Sequence, residues 1–336
     1  MDDIAFFEAL LKSNDEVISD MMKVRLKSLP YVVEHRHREA IRLLLEHGVD
    51  PNACDPDDPD LPIILYVLRG GEFDEGTEDI IQMLLEHGAN VNAKDWRENT
   101  LLHQDRRLPL DIVRLALKHG ADVSLRNEDE ETPLHFVRAA EVVDLYVEHG
   151  ADVNAKDMRG RTPLHAAQTY EAVRALLEHG ADVNARDYLN KTPLHNKSPY
   201  YSSDISAVLI EFGADVNARD RNRSTPLHYL SMSILRSRGI KNIEDLLQAG
   251  AEVNARDENG KTPLHYTRSD EVVALLLKYG ADPLIKDGEE KYPHEVNACE
   301  AKTAAYEKAL MRQATNETVS KRETPLAKSK KRGTIM

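Results

Sequence analysis

Thr162-Pro163-Leu164-His165-Ala166-Ala167-Gln168-Thr169-Tyr170-Glu171-Ala172-Val173-Arg174-Ala175-Leu176-Leu177-Glu178-His179-Gly180-Ala181-Asp182-Val183-Asn184-Ala185-Arg186-Asp187 decides how this chain folds. Thr162 suits an N-cap, because its hydroxyl can accept a backbone N–H that the first turn leaves unpaired. Pro163 fits the first helical position, where its missing donor costs nothing and its φ is pre-set. A second helix follows, with Ala172, Val173, Leu176 and Leu177 at the spacing of one helical face. Gly180 reads as the left-handed stop, and His179 in the last turn suits the negative end of the helix dipole. Val183-Asn184-Ala185 is short and extended, and Asp187-Tyr188-Leu189-Asn190 turns the chain toward the next Thr-Pro.

The same signals recur along the chain. Thr-Pro-Leu-His stands at 132–135, 162–165, 192–195, 225–228 and 262–265, in steps of 30, 30, 33 and 37 residues. Gly-Ala-Asp/Asn/Glu-Val begins at Gly88, Gly120, Gly150, Gly180, Gly213 and Gly250, with degenerate forms at Gly48 and Gly280. The two markers alternate, so one helix–turn–helix–finger unit repeats. Neither short helix persists alone in water, and burial of its stripe requires stacking on a neighbour.

The pattern resembles the ankyrin repeat, in its Thr-Pro-Leu-His helix start and Gly-Ala-Asp-Val-Asn-Ala finger. The resemblance covers about 29–314, as nine repeats starting near Leu29, Leu61, Thr100, Thr132, Thr162, Thr192, Thr225, Thr262 and Tyr292. It implies an all-α solenoid with short β-hairpin fingers. Several repeats are three residues shorter than the family's usual 33, and the loss falls between the helices, which predicts a first helix short by about one turn. Two repeats are expanded, at 69–76 and 231–241, and both insertions are expected as loops at the inter-helix turn.

At the ends, 1–28 reads as an N-terminal helical cap and 301–314 as a closing helix. Residues 315–336 are expected to be a disordered basic tail, with six Lys/Arg against two Glu. Lys328-Ser329-Lys330-Lys331-Arg332 in that tail suits a nuclear import signal, a secretion signal, a contact for acidic surfaces or a solubilising tail.

Composition bounds the function. The 336 residues carry a formal charge of −14, which disfavours nucleic acid over most of the surface. No run of eighteen apolar residues is present and the start lacks a secretory pattern, so a cytoplasmic protein without a membrane span is expected. Cys54 and Cys299 are the only cysteines, which fits a reducing compartment rather than a disulfide scaffold.

Apparent catalytic signals dissolve into the repeat. Of 14 histidines, His103, His135, His165, His195, His228 and His265 are the fourth residue of the helix start, and His47, His87, His119, His149 and His179 precede the stop glycine. His294 belongs to the degenerate last start, and His35-Arg36-His37 has no third ligand nearby. The resemblance implies a structural role for the motif histidine, bonding within its turn and to the next repeat. Gly260-Lys261-Thr262 ends like a phosphate loop, but Ala255 stands where the motif needs Gly. The 55–60 stretch, Asp-Pro-Asp-Asp-Pro-Asp, offers carboxylates, yet Asp60 and Tyr66 occupy the places of the Gly and Glu of a calcium loop, so a solvated acidic loop is expected. No cofactor, metal or catalytic set is therefore expected.

What varies is the finger tip. The resemblance implies that partners contact tips and the inner ends of first helices. The tip residues expected to bind are Trp96, Arg97, Met158, Arg159, Arg161, Tyr188, Leu189, Lys191, Arg221 and Arg223, rich in the residue types that dominate interface energy. Tips turn from acidic at 128–131 to mostly basic from 159 to 223, which predicts a protein partner with an acidic stretch. Tyr200 and Tyr201 are weaker candidates. The expected molecule is a monomeric adaptor or scaffold, or an effector delivered into a host, using the same surface.

Overall fold

The structure, a computed structural model, describes Leu29, Val33, 38–46, 48–55, 58–68, 75–104, 108–196, 204–232, 237–297 and 299–322. The expected N-terminal cap at 1–28, the insertion residues 69–74, the tyrosines at 200 and 201, and the chain from 323 onward lie outside the described residues. The chain falls into two compact units, Met1–Asn196 and Lys197–Met336.

In the first unit, each helix start gives a single turn. Leu101–Gln104, Pro133–Phe136 and Pro193–Asn196 are 3-10 turns, and Pro163–Ala166 is one α turn. The first helix is thus reduced to one turn, a shortening clearer than the sequence suggests. In the two 30-residue repeats only three residues, 137–139 and 167–169, separate the first element from the second. Val137 and Ala139 are extended there, with ψ of 145° and 142°. The second helix starts at once: in Tyr170–Glu178, Thr169 Oγ1 accepts from Ala172 N–H at 3.3 Å.

The second helices Arg38–Glu46, Glu75–Glu86, Leu110–Lys118, Ala140–Glu148 and Tyr170–Glu178 pack on one another in chain order. Their buried residues come from one face: Ile112, Val113 and Ala116, then Val142, Val143 and Tyr146, then Ala172, Val173 and Leu176. The motif leucines Leu102, Leu134 and Leu164 complete each layer and are fully buried. Tyr146 brings the one large ring into this core, and its hydroxyl donates to the Leu102 carbonyl at 3.4 Å.

In the second unit the pattern continues as Asp204–Glu211, Pro226–Met232, Ser237–Gln248, Pro263–Tyr266, Asp270–Lys278, Pro293–Val296 and Glu300–Arg322. The 231–241 insertion is not simply a loop. Residues 231 and 232 extend the first helix to seven residues, and 237–241 lengthen the second. The closing helix runs Glu300–Arg322, eight residues past the expected boundary at 314. No Gly or Pro stands in 300–322 to stop it, and the first breaker is Pro325. Lys302 on this helix is fully buried without an acidic partner among the described residues, and its ammonium donates to the carbonyls of Asn297 (3.0 Å), His265 and Pro293 (both 3.4 Å).

The acidic 54–62 segment is a two-stranded antiparallel hairpin, β1 (Cys54–Asp55) with β2 (Asp58–Pro62). These are the only strands among the described residues. The other fingers close without a ladder, for a reason visible at the tips.

Candidate functional site

Each finger is built on one carboxylate or amide. Asp157 Oδ1 accepts the N–H groups of Arg159 and Arg161, both at 2.8 Å, while the Asp157 N–H donates to the Arg161 carbonyl. The side chain takes the N–H that a hairpin partner carbonyl would otherwise receive, so the finger is a closed turn, not a strand pair. Asp95, Asn127, Asp187, Asp220, Asp257 and Asp287 do the same. The third tip residue is left-handed in all seven, and Glu98, Glu130, Asn190, Arg223 and Glu290 adopt φ of 58–63° despite carrying side chains. This Asx frame was not read from the sequence, although the recurrent Asp four residues before the residue that precedes each helix start carried the signal.

Neighbouring repeats are joined by two polar devices. The finger asparagine reaches the next repeat twice: Asn154 Nδ2 donates to the Gly180 carbonyl (3.3 Å) and its Oδ1 accepts from Asp182 N–H (2.8 Å). Asn52, Asn92, Asn217 and Asn254 repeat this bridge. The second device is the motif histidine. In the 162 repeat, the Thr162 N–H donates to His165 Nδ1 at 3.1 Å, which leaves Nε2 to carry the proton and donate to the Lys191 carbonyl at 3.1 Å. His103, His135, His228 and His265 make the same pair of bonds. Burial pushes His103 down to about 4 and also lowers His135, His228 and His265, so these rings are held neutral. A neutral, doubly bonded imidazole is a stacking strut rather than a base or a ligand. Among the described residues no group of three His, Cys, Asp or Glu is placed to hold a metal. Thr262, the last residue of the phosphate-loop look-alike, has its hydroxyl on His265 Nδ1 at 2.9 Å.

The tips stand outside this frame. In the first unit they follow one another through backbone bonds: Glu128 N–H to the Arg97 carbonyl, Met158 N–H to Asp129, and Tyr188 N–H to Arg159. Trp96, Glu128, Met158 and Tyr188 therefore hold equivalent positions on successive fingers. Three of the four are large apolar groups left in water, with Trp96 67%, Met158 51% and Tyr188 59% exposed, and Leu189 beside Tyr188 is 52% exposed. Trp96 does not fold back on its own hairpin. Its ring carries the Arg97 guanidinium at 5.4 Å from the centroid, and that guanidinium also reaches Asp129 at 3.3 Å. Tyr188 lies across Gly160, where an added Cβ would come within 2.7 Å of the ring and φ is +75°.

The charged tip residues separate into two kinds. Arg161 is tied down, to the buried Asp157 at 2.6 Å and to Glu131 at 3.2 Å, so it belongs to the finger frame and not to a free basic face. Lys191 is half-buried and has interactions of its own. Arg159 is exposed and its guanidinium has no bond among the described residues. In the second unit Arg221 and Arg223 are exposed on one tip, likewise without ion pairs. A cavity of about 770 Å³ beside that tip is lined by Arg223, Arg256, Lys261, Glu258, Glu289 and the bare backbone of Gly260 and Gly288. The structure sets Trp96 and Arg97, Met158 and Arg159, and Tyr188 and Leu189 on three of the four linked tips of the first unit, gives Arg161 to the frame, and places Arg221 and Arg223 on a tip of the second unit.

No curated protein matches the chain. Two family models do. One, described as ankyrin repeats (3 copies), matches 106–187 and 194–287, and the other, described as ankyrin repeat, matches 29–56 and 62–96. The first of these alone spans more than half of the 336 residues, over helix starts, struts and fingers whose geometry agrees with it, so the chain belongs to the ankyrin-repeat family.

Proposed function

We propose that the repeats of 29–314 form a non-catalytic binding scaffold, a cytoplasmic monomer that engages a protein partner through its finger tips. Ankyrin repeats are generally protein-interaction modules, which supports the coarse reading. One observation carries the finer one: the apolar side chains left in water at Trp96, Met158, Tyr188 and Leu189 occupy tip positions that the frame does not use. Tyr188 covers Gly160 and Trp96 carries Arg97, yet each stays more than half in water, which desolvation by a partner would end. Exposed aromatic anchors dominate such interfaces. Arg221 and Arg223, on one tip of the second unit, are cations free to meet an acidic part of that partner.

The test begins with a pull-down by the full chain, and the recovered protein is then titrated calorimetrically against Trp96→Ala. The variant should fold as before and bind about 2 kcal/mol more weakly, roughly thirtyfold. An unchanged Kd would remove Trp96 from the interface. Reversal of Arg221 and Arg223 to Glu should weaken binding further and flatten its salt dependence, and retained salt dependence would dismiss the acidic-partner reading.

A further inference from the structure

The tip series of the first unit alternates in a way that specifies its occupant. Trp96 on one finger is apolar. Met158, Tyr188 and Leu189 on the third and fourth are apolar. Between them stands the finger Glu128-Asp129-Glu130-Glu131. Its four carboxylates are not equivalent. Asp129 is met by Arg97 of the preceding finger at 3.3 Å, and Glu131 by Arg161 of the following finger at 3.2 Å. Glu128 and Glu130 are exposed, and among the described residues neither carboxylate has an ion pair or a hydrogen bond. Of the neighbouring cations, Arg159 on the following tip is exposed and makes no ion pair with them, and the other three are engaged elsewhere. Arg97 is shared between Asp129 and the Trp96 face, Arg161 is held by Asp157 and Glu131, and Arg126 bonds the Glu130 and Lys156 carbonyls at 2.7 and 2.6 Å. The frame thus neutralises half of the acidic finger and leaves the outer half unneutralised, flanked on both sides by exposed apolar groups.

We infer that the first unit receives a segment of its protein partner in which one Lys or Arg lies between two apolar side chains. The basic group meets Glu128 and Glu130, one apolar side chain meets Trp96, and the other meets Met158, Tyr188 and Leu189. The inference rests on the proposed function and adds the chemistry of the occupant. Repeats stacked through their helices sit about 8–10 Å apart. An extended chain advances about 3.3 Å per residue, so the three contacts fall about three residues apart, as apolar-x-x-basic-x-x-apolar. A basic stretch without apolar neighbours would leave Trp96 and Tyr188 wet, and an acidic one would face two uncompensated carboxylates. This part of the partner differs from the acidic part assigned to Arg221 and Arg223 of the second unit, and like charges opposed across an interface are strongly disfavoured.

The test is selection of a displayed library of random twelve-residue peptides on the full chain, followed by titration of the enriched peptides. Enriched peptides should carry a Lys or Arg between two apolar residues. Their affinity should fall at least tenfold for Glu128→Lys/Glu130→Lys at low salt. Replacing the peptide's basic residue by Glu should restore binding to that variant and abolish it to the parent. Both substitutions lie on an exposed tip, and circular dichroism confirms the fold. Peptides that lose affinity with Trp96→Ala or Tyr188→Ala but ignore the charge reversal overturn this inference and leave the proposed function standing. Selection that yields only peptides indifferent to both sets of variants overturns both.

Discussion

Acid should unfold the first unit through His103, by an amount the structure sets. The ring is buried beside Thr100, accepts the Thr100 N–H at Nδ1 and donates to the Glu131 carbonyl from Nε2. Desolvation dominates its shift, opposed by the Glu131 carbonyl and Asp95, and it titrates near 4 instead of 6.5. The folded pKa is depressed, so the unfolded chain takes up the proton first, and stability falls as pH drops below about 6.5. Linkage gives a loss of about 2 kcal/mol at pH 5 and about 3 kcal/mol once pH is below 4. The assay has a local reporter. Trp96 is the only tryptophan, and it sits on the finger that leads into the His103 turn. Urea titrations followed by Trp96 fluorescence at pH 7, 6 and 5 should show the midpoint falling by roughly 1 M across that range. His103→Gln keeps an acceptor and a donor but cannot titrate, and its midpoint should fall less by about the same amount. Other buried histidines, His135 among them, titrate in both proteins and cancel in the difference. Identical pH dependence for the two proteins would refute the neutral-strut account.

Three other outcomes follow from the same geometry. Ser124 stands where all the other fingers but one carry Asn (Leu284 is the second exception), and its hydroxyl donates to Asp122 at 2.6 Å rather than to the next repeat. Ser124→Asn should add the bridge to Gly150 and Asp152 and stabilise by about 1 kcal/mol in denaturant titration, and no gain would mean the bridge contributes little. Leu164→Ala empties a fully buried layer position and should cost about 2–5 kcal/mol, where a change below about half a kcal/mol would contradict the packing. Burial pushes Lys302 down to about 8, opposed by Cys299 and reinforced by Arg268, so its charged form is disfavoured in the fold. Stability of the second unit should therefore rise between about pH 8 and 10.5. In Lys302→Met that rise should be absent from melts by circular dichroism, and equal rises in both proteins would rule out this lysine as the source.

The frame was legible because its signals are conformational and repeat. Thr-Pro names a helix start whatever surrounds it, and Gly180 or Gly213 names a stop, since each takes a left-handed φ of 84–86°. The motif histidine was read as structural, and its bonds to Thr162 and Lys191 agree. What escaped depends on partners distant in sequence. Arg161 reads as an exposed basic tip until Asp157 and Glu131 are placed beside it, the second thirty residues away. The 231–241 insertion reads as a loop, yet Ser231 and the residues from 237 have enough helical support from neighbours to lengthen two helices. Lys302 has the sequence context of an exposed helical lysine, and only the carbonyl ends of two adjacent turns explain its burial.

The division between frame and tip also explains why the family is easier to read than the partner. The Asx side chain and the left-handed third residue of each finger, and the bridging Asn where it is present, satisfy or free backbone groups, and changing them costs stability. The network takes only backbone from the first two tip residues, so Trp96-Arg97, Glu128-Asp129, Met158-Arg159 and Tyr188-Leu189 can differ at the small cost of the exposed Arg97–Asp129 pair and the contact of Tyr188 with Gly160. Even at the third position, the fold accepts Glu98, Glu130 and Arg223 in a conformation that Gly adopts more readily, at about 1 kcal/mol each. Residues free of structural duty carry no repeat signal. Their order along the chain is therefore set by whatever they touch, and the acidic finger between apolar ones is the part of that order that a charge-reversed peptide can test directly.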